Sequence, residues 1–262
     1  ASNQACFSLT LPMLNLNINY LYLFMKKSQL IPAVITLLLS SMCPHSLWGQ
    51  TAKLLTTKED STKLLEPSSV KCTVTSNTDG AILLHPSEAN QTIKGFGFAL
   101  TYASCKNLMD MGTEKRSAFL KHLYSETDGL GVSFARISIG CCDFSSHLYT
   151  CWDNAGESDF SLSSDEWTYI IPILKEILAI NPKLKIIAAP WTCPPRMKVE
   201  SVTNLTPHYS YRAGHLNPAY YQEYAQYFVK FINAFKSFGI NIFAVSPQNE
   251  PLNGYNCAST VM

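Results

Sequence analysis

From Ile93 onward the chain alternates between short apolar runs and longer amphipathic stretches. Residues 93–101 read as a strand punctuated by Gly95 and Gly97, which let the backbone pack closely and bend. Residues 132–139 alternate apolar and polar positions and predict a second strand. Residues 184–191 predict a third, almost wholly buried strand, and residues 240–245 a fourth. Helical patterns lie between them. Thr113 is placed to cap a helix that carries Phe119, Leu120 and Leu123. Ser163 and Glu166 stand at capping-box spacing. Behind them Trp167, Ile170, Ile171, Leu174, Ile177 and Leu178 share one helical face, with Pro172 forcing a late start or a kink. Asn217 and Pro218 mark a cap and a first helical position. Tyr221, Tyr224, Ala225, Phe228, Ile232 and Phe235 form the core stripe of that helix, and Gly239 ends it.

Strands alternating with helices predict a parallel sheet. The strand ends fall near residues 100, 139, 191 and 248, so each repeat exceeds the roughly 30 residues of an average α/β barrel unit. The surplus lies after the strands, at 142–160 and 193–216, where barrels keep their substrate sites. The fold class expected is α/β, a (β/α)8 TIM barrel of which residues 93–262 supply about the first four units. Residues 50–92 are polar and broken. Strands at 70–74 and 81–84 around a turn at 77–80 predict a hairpin, as the start of a side β-sheet.

The amino-terminal stretch has a different layout. Met25, Lys26 and Lys27 open a cationic segment, an apolar run follows at 30–39, and the segment 46–49 offers small residues, Ser46 and Gly49, for cleavage. Residues 25–49 therefore read as a signal peptide, and residues 1–24 as an upstream or disordered extension. Lys26 and Lys27 split the apolar stretch into pieces shorter than the ~20 residues of a spanning helix, so no transmembrane anchor is expected after cleavage. The expected location is secreted, periplasmic or extracellular, or lysosomal in a eukaryote.

Composition narrows the function. With 262 residues, 47% of them hydrophobic and 15% charged, the chain can bury a large core. A net charge of +1 gives no electrostatic case for nucleic acid or anionic membranes. Nine cysteines without a C-x-x-C pair argue against a disulfide scaffold or a zinc site, and no cofactor or metal is expected. The segment GFGFAL at 95–100 is not a nucleotide loop, because Leu100 stands where the third glycine belongs.

Each predicted strand ends on polar or aromatic residues. Arg136 lies inside an apolar strand, where a bare cation is costly unless paired, and Asp143 is the expected partner. Trp191 ends the third strand and offers a flat apolar face with an N–H donor, suited to a sugar ring or to core packing. The fourth strand delivers an amide and a carboxylate together, Asn249 and Glu250, before turning at Pro251.

The segments QTIKGFG at 91–97, RISIGCCDFS at 136–145, APWT at 189–192 and QNEP at 248–251 resemble, in this order, glycoside hydrolase family 30, the family of glucosylceramidases and related β-glycanases. Phe98 departs from the small residue usual in the family after the first of these segments. The resemblance implies a (β/α)8 barrel with an accessory β-sandwich, to which residues 50–92 contribute strands. It implies retaining hydrolysis with Glu250 as the catalytic general acid/base, Asn249 near the sugar 2-hydroxyl, and Arg136, Asp143 and Trp191 lining the first sugar subsite. The partner it implies is a β-linked glycoside or oligosaccharide, glycolipids included. Retention requires two carboxylates about 5–5.5 Å apart. The resemblance places the nucleophile Glu beyond Met262, so the polypeptide by itself is expected to be inactive. Glucosylceramidase-like β-glucoside cleavage is the leading expectation, with β-1,6-glucanase, xylanase or xylosidase as alternatives. A non-catalytic carbohydrate-binding barrel is the competing class.

Overall fold

The computed structural model describes residues 4–8, 51–72, 79–85 and 87–262. The signal-peptide expectation at 25–49 lies outside the described residues. Two compact units divide near residue 89.

The first unit holds a three-stranded antiparallel sheet in the order β1 (Gln4–Ser8), β2 (Thr51–Thr57), β3 (Glu66–Lys71). Its hairpin joins β2 to β3, with Thr51 opposite Lys71 and Thr56 opposite Glu66. This differs from the expected hairpin of 70–74 with 81–84. Residues 81–84 form no strand, and Ile82, Leu83 and Leu84 are exposed. The partner of residues 66–71 is instead β2, whose threonines and apolar residues suit a pleated surface. A turn closes the hairpin, in which Lys58 N–H donates to Lys63 O at 2.9 Å and Leu65 N–H to Thr57 Oγ1 at 3.1 Å.

The second unit is built on a four-stranded parallel sheet in the order β4 (Gly97–Ala99), β5 (Phe134–Ile139), β6 (Lys185–Pro190), β9 (Ile242–Val245). A two-residue pair, β7 (Lys198–Val199) with β8 (His215–Leu216), lies within the loop after β6. The helices are α1 (Tyr102–Asp110), α2 (Thr113–Tyr124), α3 (Ile171–Ile180) and α4 (Tyr221–Ser237). Strand order follows chain order, each parallel neighbour reached through helices, as in the first four units of a TIM barrel. Among the described residues no helix is long and apolar enough to cross a membrane.

Alternation along β5 and β6 sets the two faces. Ala135, Ile137, Ile139, Ile186 and Ala188 are buried, on the side where the core also holds Ile173, Leu174 and Ile177 of α3 and Tyr227, Phe231 and Phe235 of α4. Phe134, Arg136, Lys185 and Ile187 alternate with them and are half-buried. On that side the Lys185 ammonium lies 5.3 Å from the ring centroids of both Phe134 and Phe243. The third strand is thus almost wholly buried, as expected, with only Lys185 and Ile187 of residues 184–191 half-buried. Gly97 is needed where β4 meets β5, because a Cβ there would penetrate the Phe134 carbonyl.

The helices depart from expectation in four places. Helix α1 was not anticipated. Thr101 caps it, its side chain accepting from Ser104 N–H at 3.3 Å. The cap of α2 is Gly112, at φ 75°, with Thr113 as the first helical residue. A π-helical turn at Glu166–Ile170 precedes α3. Its wider winding turns Trp167 outward, to 51% exposure, while Glu166 and Ile170 face the core. In α4 the buried stripe is Tyr224, Tyr227, Phe231 and Phe235. Tyr221, Ala225 and Phe228 line a neighbouring apolar groove with Val245 and Pro247. The apolar arc of α4 is wide enough for two stripes, and packing into the common core selects one.

Candidate active site

Arg136 within β5 and the segments that follow β6 and β9 bring three of the five expected residues into contact. Arg136 Nη2 donates to Asn249 Oδ1 at 2.9 Å. The Arg136 guanidinium also lies 4.7 Å from the centroid of the Trp191 ring. Register explains the meeting. Arg136 pairs with Ile187 across β5 and β6, on the same face that continues to Trp191. Asn249 is anchored by its own backbone, N–H to Pro190 O at 2.8 Å. Ser246 N–H donates to Ala188 O at 2.9 Å, so the segment after β9 follows β6 closely.

Arg136 is therefore held by an amide and an aromatic ring, and not by Asp143. A carboxylate seven residues away in sequence is a natural guess, but the chain turns away after Ile139. Asp143 is exposed and makes no side-chain hydrogen bond or ion pair among the described residues. Trp191 is 7% exposed. One face of the ring that the sequence offers to a sugar is taken by the guanidinium, a contact worth about 0.5–2 kcal/mol.

The loop that carries Asp143 is stapled to two buried acids. Ser146 Oγ donates to Asp165 Oδ1 at 2.6 Å and Ser146 N–H to Asp165 Oδ2 at 3.2 Å. Tyr149 Oη donates to Glu166 Oε1 at 2.7 Å, and Ser163 N–H to Glu166 Oε2 at 2.8 Å. The second bond is half of the capping box read at 163–166. Burial pushes the Glu166 carboxyl up to about 7, against the opposing pull of its hydrogen bonds from Tyr149 and Ser163.

Glu250 stands at the exposed rim, next to Asn249 in the chain. Its backbone is left-handed, φ 45°, an uncommon setting for a non-glycine residue. Its Oε2 accepts two amide N–H groups, from Asn253 Nδ2 and Asn256 Nδ2, each at 2.8 Å. These two asparagines escape a sequence reading. The spacing of three and six residues from Glu250 was visible, but only the turn at Pro251 aims them back at it.

Gln248 is buried in the same segment. Its Nε2 donates to Trp191 O at 2.6 Å and to Asn249 O at 2.9 Å, which ties the end of β9 to the end of β6. Lys198, also missed, is 1% exposed and donates to Ala213 O at 2.9 Å and Ser259 O at 2.7 Å. Burial pulls its ammonium down to about 8. No trio of His, Cys, Asp or Glu that could hold a metal occurs among the described residues.

This architecture recurs in known proteins. The model of the Glycosyl hydrolase family 30 TIM-barrel domain matches residues 93–261. The lysosomal acid glucosylceramidase of Mus musculus is 30% identical over 66% of this chain and 34% of its own length. An endo-1,6-beta-D-glucanase of Aspergillus fumigatus is 34% identical over 62% of this chain and 36% of its own length. Among solved structures, the endo-beta1,6-glucanase BT3312 superposes with a TM-score of 0.70 and 51% identity, over 80% of this chain and 46% of that one. SrfJ from Salmonella typhimurium superposes with a TM-score of 0.69 and 25% identity, over 81% of this chain and 47% of that one. The chain spans about a third of the length of these curated relatives. With the family's domain model matching residues 93–261, more than half of this chain, and four parallel barrel strands observed there, the chain belongs to glycosyl hydrolase family 30.

Proposed function

We propose that this chain carries the acid/base side of a retaining β-glycosidase site, with Glu250 as the proton donor to the leaving glycosidic oxygen. The observation that carries the reading is the convergence of Arg136, Trp191 and Asn249, directly before Glu250. With its Oδ1 occupied by Arg136, Asn249 keeps its amide N–H groups for a sugar hydroxyl. Asp143 and the Trp191 edge complete the first sugar subsite in this reading. In the first step Glu250 protonates the departing oxygen while a second carboxylate attacks the anomeric carbon. In the second step Glu250 takes a proton from water, which displaces that carboxylate and restores the β-configuration. The four parallel strands described carry the first carboxylate. The second belongs to a later barrel strand.

Two substrates divide the family resemblance. The 51% identity to an endo-beta1,6-glucanase supports a β-1,6-linked glucan. The lower identity to a lysosomal acid glucosylceramidase keeps a β-glucosyl lipid as the second reading. Export, supported by the layout at 25–49, suits an extracellular polysaccharide.

The test compares this polypeptide with a version extended to the length of its relatives, on an aryl β-glucoside, β-1,6-glucan and glucosylceramide. Turnover is expected from the extended protein alone, with the β-anomer released first by NMR and a loss of at least about 100-fold in Glu250→Gln. Initial release of the α-anomer, or full activity in Glu250→Gln, overturns the reading.

A further inference from the structure

We propose that Asn253 and Asn256 are positioning residues for Glu250, which select the carboxyl oxygen that carries the catalytic proton. This rests on the acid/base reading above and goes beyond it to residues outside the sugar subsite.

The geometry is specific. Both amide donors converge on the same oxygen, Oε2, each at 2.8 Å. Two N–H groups occupy the lone-pair directions of one carboxyl oxygen. A proton on Oε2 would have to displace one of them, so the proton resides on Oε1. Donation from Oε1 to the glycosidic oxygen leaves a carboxylate whose negative charge the two amides already face. The same carboxylate is the base of the second step. Hydrogen bonds aimed in advance at the charge that forms need no rearrangement during reaction.

The side-chain amide of Asn253 and the backbone at Asn256 are both held. Asn253 Oδ1 accepts Tyr255 N–H at 3.0 Å, so reversing that amide would break both of its contacts. Asn253 N–H donates to Glu250 O at 2.9 Å, which closes the turn around the left-handed Glu250. Asn256 O accepts Ser259 Oγ at 2.7 Å, and Gly254 O accepts the same hydroxyl at 3.2 Å. Ser259 is buried, and its carbonyl is bonded to the ammonium of Lys198. Thr260 Oγ1 accepts Cys193 N–H at 3.1 Å and lies 3.2 Å from Thr192 Oγ1. The loop bearing the clamp is thus fastened to the segment that follows β6, while Asn253 and Asn256 themselves are only half-buried.

The test uses the full-length protein with Asn253→Asp, Asn256→Asp, the double variant and Glu250→Ala. Aspartate keeps the asparagine shape, and at 253 it keeps an acceptor for Tyr255 N–H, but it removes the donor. Two substrates separate positioning from structure. A β-1,6-linked oligosaccharide needs its leaving oxygen protonated, and a dinitrophenyl β-glucoside does not. Each single variant is expected to lose about 10-fold in kcat/KM on the oligosaccharide, and the double variant about 100-fold, within the range of general acid catalysis. On the dinitrophenyl glucoside kcat/KM is expected to stay within about 3-fold, as in Glu250→Ala, whose slow second step azide should rescue. Equal losses on both substrates, or no loss on either while Glu250→Ala is impaired on the oligosaccharide, overturn the positioning role alone. An unimpaired Glu250→Ala overturns the acid/base reading together with it.

Discussion

Arg136 and Asn249 are hydrogen-bonded at 2.9 Å although 113 residues separate them. The bond joins the second and fourth strands of the parallel sheet across the third, whose terminal Trp191 supports the guanidinium from one face. An amide on one side and an indole on the other fix both the position and the plane of the cation. Lysine is a point charge without a planar fork and cannot satisfy both neighbours.

Arg136→Lys is accordingly expected to release Asn249 and lower kcat/KM on the order of 100-fold in the full-length protein, as misplaced positioning groups do. Steady-state kinetics on a β-glucoside with circular dichroism of the variant checks it. Unchanged kinetics would show that the contact does not serve substrate.

Glu166 makes stability depend on pH. Its carboxyl rises from 4.5 to about 7 on folding, chiefly through burial, so the folded protein holds that proton more tightly than the unfolded chain. The stabilisation is complete below about pH 4.5 and is lost as pH rises through about 7. The loss is on the order of 3 kcal/mol for a shift of this size. Asp165 beside it, and the Tyr149 hydroxyl and Ser163 N–H bonded to it, remain in place in Glu166→Gln. Urea unfolding between pH 5 and 8 should therefore show a falling stability in the wild type and a flatter curve in the variant. Parallel curves would assign the slope elsewhere.

Gly97→Ala tests the closeness of β4 to β5. The added Cβ meets the Phe134 carbonyl, which is backbone and cannot rotate away. The strands must part, at a cost of about 1–3 kcal/mol. The Leu100 N–H, bonded to Arg136 O at 2.7 Å, should then exchange faster with deuterium. Protection equal to wild type would place the strain outside this pairing.

Of the seven described cysteines, Cys257 is exposed and Cys72 half-buried, and the other five are buried. Burial pushes the Cys105 and Cys141 thiols up to about 12, far from the reactive thiolate. Brief iodoacetamide treatment of the native protein at pH 8 is expected to label Cys72 and Cys257 first. Peptide mass spectrometry reads the outcome, and early labelling of Cys105 or Cys141 would contradict the burial.

Local periodicity carried much of the fold. Strands at 134–139 and 185–190 and helices at 171–180 and 221–237 were legible, because one-sided burial repeats every 2 or every 3.6 residues whatever the distant chain does. Glu250, Asn249 and Trp191 were visible too, since a polar or aromatic residue ending an apolar run marks the rim of a barrel, and Arg136 stood out as a cation inside an apolar strand. Other features depended on packing between distant segments. The π-turn at Glu166–Ile170 put Trp167 outside, and packing into the common core chose Tyr227 and Phe231 over Tyr221 and Ala225 from a wide apolar arc. The partner of Arg136 followed from strand register, so the amide 113 residues away displaced the carboxylate seven residues away. Asn253 and Asn256 gained their role only when the turn after β9 closed. Residue type and spacing specify which groups arrive at the strand ends. Which of them touch is decided by the register of the sheet and the loops that follow it, because hydrogen bonds act only within about 3 Å.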